Sequence, residues 1–214
     1  MPEQLHTPVP PQTLMRSFPA PQGKLILLYG EEPVFQFSTL LMAQAAHSGL
    51  PVAVIDGCNR FNVHALVRYA QQKRVNPDLL LSRVYISRGF TCYQMEAAIG
   101  RLPLFLGALG ARAGIVLGLL DTFYDEQAPF REVREMLHRI IGELQHMREA
   151  GLSVLLCNFE WNVLPPERNM LLQRLKQGVD TVYRLTLDST GSARLFFERP
   201  AGGSHILRGE QHHG

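Results

Sequence analysis

The residues best placed to do chemistry gather around Gly30. An apolar run, Leu25-Ile26-Leu27-Leu28-Tyr29, ends at this glycine, and a hydroxyl pair, Ser38-Thr39, follows at the start of a helical stretch. Strand, glycine, loop, hydroxyl pair and helix is the order in which a Gly-rich loop cradles phosphate. In that arrangement backbone N–H groups and a helix N-terminus face the anion, a lysine reaches it, and Ser/Thr serves the metal. Here the frame is present without the charges. Phe37 stands where the lysine is expected if the loop carries one extra residue. Glu31 and Glu32 place two like charges where phosphate would sit, Pro33 removes a backbone donor, and no second glycine follows Gly30 in the loop. Gly30, Ser38 and Thr39 are therefore either the remnant of a nucleotide site or an ordinary strand–turn–helix.

The composition sets the frame for that choice. A chain of 214 residues, 46% hydrophobic, suits one globular domain able to bury about 70% of its extended surface. No apolar run reaches membrane-spanning length and the Pro-studded start has no signal-peptide core, so the expected location is cytoplasmic with no membrane partner. Cys58, Cys92 and Cys157 are odd in number and far apart, which fits a reducing compartment and gives no metal-type spacing. A net charge of +2 does not demand a nucleic-acid partner. The histidines near the end, His205, His212 and His213, lie on a Gly-rich tail over residues 201–214 and make no metal set.

The elements that must position these residues follow in order. Residues 1–22 hold six prolines and read as an extended or disordered arm, with a core domain over residues 23–200. Within the core, Pro51–Asp56 and Val84–Ser87 are predicted strands. Asn62 is positioned to cap a helix, and Thr91 with Gln94 makes a capping box. A strand is expected over 113–123, closed by Asp121 and Thr122. Apolar residues from Phe130 to Met147 recur at spacings of three and four, predicting a long helix over 130–150. Leu152–Cys157 is a further strand, and Pro165-Pro166 opens a last helix. The period then switches to two on both sides of Ser189-Thr190-Gly191-Ser192, an antiparallel hairpin. Five strand–helix alternations and a hairpin predict an α/β fold, a mostly parallel sheet with an antiparallel edge.

From Asp56 onward the landmarks resemble the RecA-type recombinase core, in its RadA-like branch. Val54-Ile55-Asp56-Gly57-Cys58-Asn59-Arg60-Phe61 is similar to that family's second core strand and the arm after it. Ile115-Val116-Leu117-Gly118-Leu119-Leu120-Asp121-Thr122 resembles a Walker B strand, and Leu155-Leu156-Cys157-Asn158 the strand ending in a nucleotide sensor. The resemblance implies a three-layer RecA-like fold with helices on both faces, and a magnesium-holding role for Asp121. It also exposes what is missing: Cys58 occupies the catalytic glutamate's position and Phe159 that of the sensor glutamine. With the lysine also absent, three parts of one phosphate site are gone. ATP and magnesium are not expected as cofactors. Taken alone, Asp121 also reads as a structural cap, and Cys58 as a buried, inert thiol.

In such recombinases the loops after the fourth and fifth strands touch DNA. Here the second, Phe159-Glu160-Trp161-Asn162-Val163-Leu164, carries the only tryptophan. Phe159 or Trp161 stacking on a base, with Arg168 on phosphate, is one reading; hydrophobic closure of the loop over the next helix is the other. Phe18 in the arm is the expected anchor for a neighbouring RecA-like subunit, own or heterologous. The function implied is a catalytically degenerate accessory or paralogue-type component of DNA recombination or repair. It would work through protein contacts, with single-stranded DNA as a second candidate partner. The rivals are an ATPase with a non-standard phosphate loop and a scaffold with no DNA role.

Overall fold

The computed structural model describes residues 7–19, 22–125 and 127–198. The histidine-bearing tail, the first six residues and Glu126 lie outside them.

The core is one sheet between two helical layers. Its strands are β1 (Thr7–Val9), β2 (Leu25–Gly30), β3 (Val52–Asp56), β4 (Val84–Arg88), β5 (Ala113–Leu117), β6 (Ser153–Phe159), β7 (Thr181–Leu187) and β8 (Ala193–Glu198). Their order across the sheet is β1-β8-β7-β2-β6-β5-β3-β4. From β7 to β4 every neighbour is parallel, and β8 runs antiparallel to both β7 and β1. The expected α/β class, with a mostly parallel sheet and a C-terminal antiparallel pair, is what the chain forms.

Alternation along the strands sorts the core into two halves. Leu25, Leu27 and Tyr29 of β2 face α5 (Cys92–Leu109), α6 (Phe130–Glu149) and α7 (Met170–Gln177). Ile26 and Leu28 face α1 (Pro11–Ser17), α2 (Pro33–His47), α3 (Val63–Lys73) and α4 (Pro77–Leu81). Strands covered on both faces have no polar side to show, which is why they read as continuous apolar runs. The predicted caps form: Asn62 Oδ1 accepts from Ala65 N at 3.0 Å, and Thr91 Oγ1 from Gln94 N at 3.2 Å. Gln94 Oε1 reaches back to Phe90 N at 2.8 Å, closing the box one residue earlier than the usual pattern.

Two expectations are corrected. The strand over 113–123 stops at Leu117, because Gly118 takes a φ of +63° and Leu120–Phe123 coils into a 3-10 turn. Residues 7–18, expected as an arm, are part of the fold. Thr7–Val9 adds an edge strand opposite Leu195–Phe197, and α1 docks on the sheet through Leu14, fully buried. Phe18 is 5% exposed and lies in the same core half, so its ring is spent on its own domain rather than offered to a neighbour. Pro11 sits in the first turn of α1, where a missing N–H costs nothing, so the prolines start structure here instead of preventing it.

Candidate functional site

The turn after β2 is short and bonded into the fold. Gly30 has a φ of +140°, and a Cβ there would run into the Leu185 carbonyl, so only glycine fits. Glu31 N donates to Leu185 O at 2.9 Å and Glu160 N to Gly30 O at 2.8 Å. The helix α2 then begins at Pro33, leaving Glu31 and Glu32 as the whole connection. The first helical amides are taken as well: Val34 N donates to Glu31 O at 2.9 Å and Phe35 N to Glu32 O at 3.4 Å. Phe37, aligned with a phosphate-binding lysine, lies inside the helix against the core. Ser38 and Thr39 are buried, and both hydroxyls donate to the Phe35 carbonyl at 2.8 Å. The residues of the nucleotide-loop pattern are thus consumed by a short turn and a helix.

Three strands over, beyond β6 and β5, Asp56 organises the end of β3. Its carboxylate is fully buried; Oδ1 accepts from Cys58 N at 3.3 Å and Arg60 N at 3.1 Å, and Oδ2 from Phe61 N at 3.0 Å. This folds residues 57–61 back over the strand end, with Asn59 at a φ of 55°. An Asp followed by Gly-Cys-Asn was the available signal for such a side-chain-to-backbone turn. The turn seats Cys58 against Gly118, where any Cβ would collide with the Cys58 side chain. Burial first, then the charges of Asp121 and Asp56, push the Cys58 thiol well above its usual range, so it is not a thiolate nucleophile at neutral pH.

Asp121 and the loop after β6 meet above this point. Trp161 Nε1 donates to Asp121 Oδ1 at 3.0 Å. The other oxygen, Oδ2, is buried and has no hydrogen-bond partner among the described residues. Burial holds the Asp121 carboxyl above the ordinary carboxylate range, against the pull of the Trp161 hydrogen bond. Asn158 lies fully buried at the end of β6; its Oδ1 accepts from Leu120 N at 2.9 Å while its Nδ2 is unpartnered among the described residues. The Trp161 indole stands 4.5 Å from the Phe159 ring, centroid to centroid, and is 48% exposed. Asp121, Tyr124, Trp161, Asn162 and Val163 line a cavity of about 340 Å³.

Arg168 belongs to the inside of this region. It is 3% exposed, and its two terminal nitrogens donate to the carbonyls of Phe123 and Ala128, each at 2.6 Å. The guanidinium ties the start of α7 to the segment after β5, and it is not displayed to solvent for a phosphate. The sequence paired Arg168 with Trp161 on one nucleic-acid face; the fold separates them, burying one and exposing the other.

A second polar group escaped sequence reasoning. Tyr29 Oη donates to Glu198 Oε1 at 2.7 Å, while Lys176 Nζ donates to Tyr29 Oη at 2.6 Å and to Glu198 Oε2 at 3.0 Å. Arg184 bonds Glu160 beside it, at 2.9 Å. These pairs join α7, β2 and β8 across the sheet and act as a brace.

No protein-family model matches the sequence, and no curated protein matches it significantly. What the chain can do therefore has to be read from its own geometry. The site offers a carboxylate, a half-exposed indole and a phenol around a small cavity.

Proposed function

We propose that this chain is a RecA-like domain that has given up phosphate chemistry and serves as a non-catalytic accessory component of DNA recombination or repair, acting through contacts with RecA-like subunits. The observation that carries the loss of catalysis is the two-residue Glu31-Glu32 turn, around which the amides of Glu31, Val34 and Phe35 and the hydroxyls of Ser38 and Thr39 are bonded within the protein. Glu31 Oε1 accepts from Leu187 N at 3.2 Å and Glu32 pairs with Arg60 at 3.0 Å, so the turn is fastened shut by both carboxylates. The likeness to a recombinase core rests on the order of landmark strands. In support, β2, β6, β5 and β3 lie side by side, which gathers Gly30, Asn158, Asp121 and Cys58 at one end of the sheet.

Losing phosphate-site electrostatics of this kind removes several kcal/mol of transition-state stabilisation. The test is a titration with labelled ATP and magnesium, followed by a hydrolysis assay and a pull-down with RecA-like subunits from the source cells. The expected result is no turnover, weak or absent ATP binding, and capture of a RecA-like partner. Magnesium-dependent hydrolysis abolished by Asp121→Ala would overturn the reading.

Single-stranded DNA stacking on Trp161 is a second reading, favoured by the half-exposed indole lying over Phe159. Its weakness is electrostatic, since Arg168 is buried and the indole is bonded to a carboxylate.

A further inference from the structure

The cavity beside Trp161 is lined by a carboxylate and two aromatic side chains, and among the described residues the nearby arginines make their ion pairs and hydrogen bonds elsewhere, although the charge of Arg60 still reaches Asp121. Arg60 pairs with Glu32 at 3.0 Å and lies 5.8 Å from the centre of the Phe35 ring. Arg184 pairs with Glu160, and Arg168 is committed to the carbonyls of Phe123 and Ala128. Asp121 therefore forms no ion pair among the described residues; its Oδ2 is buried toward Gly118, and Oδ1, which accepts from Trp161, is the oxygen left for a ligand.

Such a site selects its ligand by charge and shape. Indole and phenol faces attract cations, and a planar cation can lie along a ring while its N–H groups point at a carboxylate. Anions are disfavoured, because Asp121 lines the cavity and Glu160 lies close enough for its charge to act on the Tyr124 phenol. At about 340 Å³ the space is near the lower bound for small-molecule pockets and suits one long side chain. The flanking surface suits a protein: Leu164, next in the chain after Val163 of the cavity wall, is a large apolar residue left 74% exposed.

We propose that the cavity bounded by Asp121, Tyr124 and Trp161 receives an arginine side chain presented by a partner protein. The guanidinium lies against the indole and shares the Asp121 carboxylate with the Trp161 N–H, with Leu164 beside the cavity wall. The carboxylate is the counter-charge and the rings supply the walls. The inference stands on this geometry and not on a recombination role, so its failure leaves the ATP titration and the pull-down to judge that role.

The lone tryptophan makes the test direct, because all indole emission comes from the site. The full chain is titrated with acetyl-Gly-Arg-Gly-amide and with the same peptide carrying citrulline, the neutral isostere of arginine. The expected result is a saturable change in Trp161 emission with the arginine peptide, weakened at least roughly tenfold by citrulline. Asp121→Asn keeps an acceptor for the indole N–H but removes the charge, and it should lose the response while its circular dichroism melt stays cooperative. Should that variant fail to fold, the arginine-against-citrulline comparison in the unaltered protein decides alone. Equal responses to the two peptides, an unaltered response in folded Asp121→Asn, no saturable response, or a response to oligothymidylate in place of arginine would each overturn the assignment.

Discussion

Trp161 donates its indole N–H to Asp121 at 3.0 Å, joining the loop after β6 to the turn after β5 across forty residues of chain. That bond places the only tryptophan over a carboxylate that burial keeps hard to ionise. A group of this kind costs stability for as long as it carries its charge.

The first prediction concerns pH. The folded-state pKa of Asp121 is raised, so the native form holds the proton more tightly than the unfolded chain does. Stability should therefore fall as pH climbs from the ordinary carboxylate value through the raised one, and the penalty is complete above that window. Asp121→Asn should raise the thermal midpoint at neutral pH and match the wild type in acid below the carboxylate range. Melts of both proteins from acid to neutral pH check this; a variant less stable at neutral pH would mean the Trp161 bond outweighs desolvation.

The second concerns Phe18. Its ring is buried with Leu14 in the core half under α1. Phe18→Ala should destabilise the domain by about 3–5 kcal/mol, as deletion of a core aromatic does, and leave self-association at fixed folded concentration unaffected. Denaturant melts give the first quantity and light scattering the second.

The third concerns Gly30. Any side chain there meets the Leu185 carbonyl in a backbone conformation with φ of +140°. Gly30→Ala should cost about 1–3 kcal/mol from backbone strain alone, without changing ATP binding. A gain of nucleotide affinity in that variant would show that the turn can open.

The fourth concerns Arg168. Removing a buried guanidinium leaves the Phe123 and Ala128 carbonyls unsatisfied, and Arg168→Ala should lose about 3 kcal/mol of stability. Arg168→Lys should recover only part of this, because an ammonium cannot span two carbonyls as the planar fork does. A folded, fully stable Arg168→Ala that binds single-stranded DNA more weakly would return the residue to a phosphate-contacting role.

How far the sequence could be read follows from what is local. The strands β2, β3, β5 and β6 are apolar on both faces and announce themselves. The long helix α6 does so through its spacing, and its end at Glu149 lies one residue from the expected one. The phosphate loop was misjudged in length. Counting onward from Gly30 assumed an open loop, whereas Pro33 marks the first turn of α2 and leaves two residues between strand and helix. The first elements were hidden by their prolines, though Leu14 and Phe18, four apart, already mark one buried side. The Trp161–Asp121 bond and the burial of Arg168 are tertiary facts: no local pattern states which of two polar residues in one loop region turns inward. The separation of Trp161 from Arg168 was therefore not legible, and neither was the cavity.

The place of β2 in the sheet bears on how the chain is made. This strand precedes both its partners by more than a hundred residues, since β6 and β7 come from the last third of the sequence. The edge strand β1 is bound still later, since Thr7 lies opposite Phe197. A nascent chain leaving the ribosome thus carries β2 unpaired until β6 and β7 have followed it. Long-range pairing of this kind is slow and leaves sticky edges exposed on the way. The flank β5-β3-β4 has all its strands before β6, whereas β2 is enclosed only once β6 and β7 have emerged.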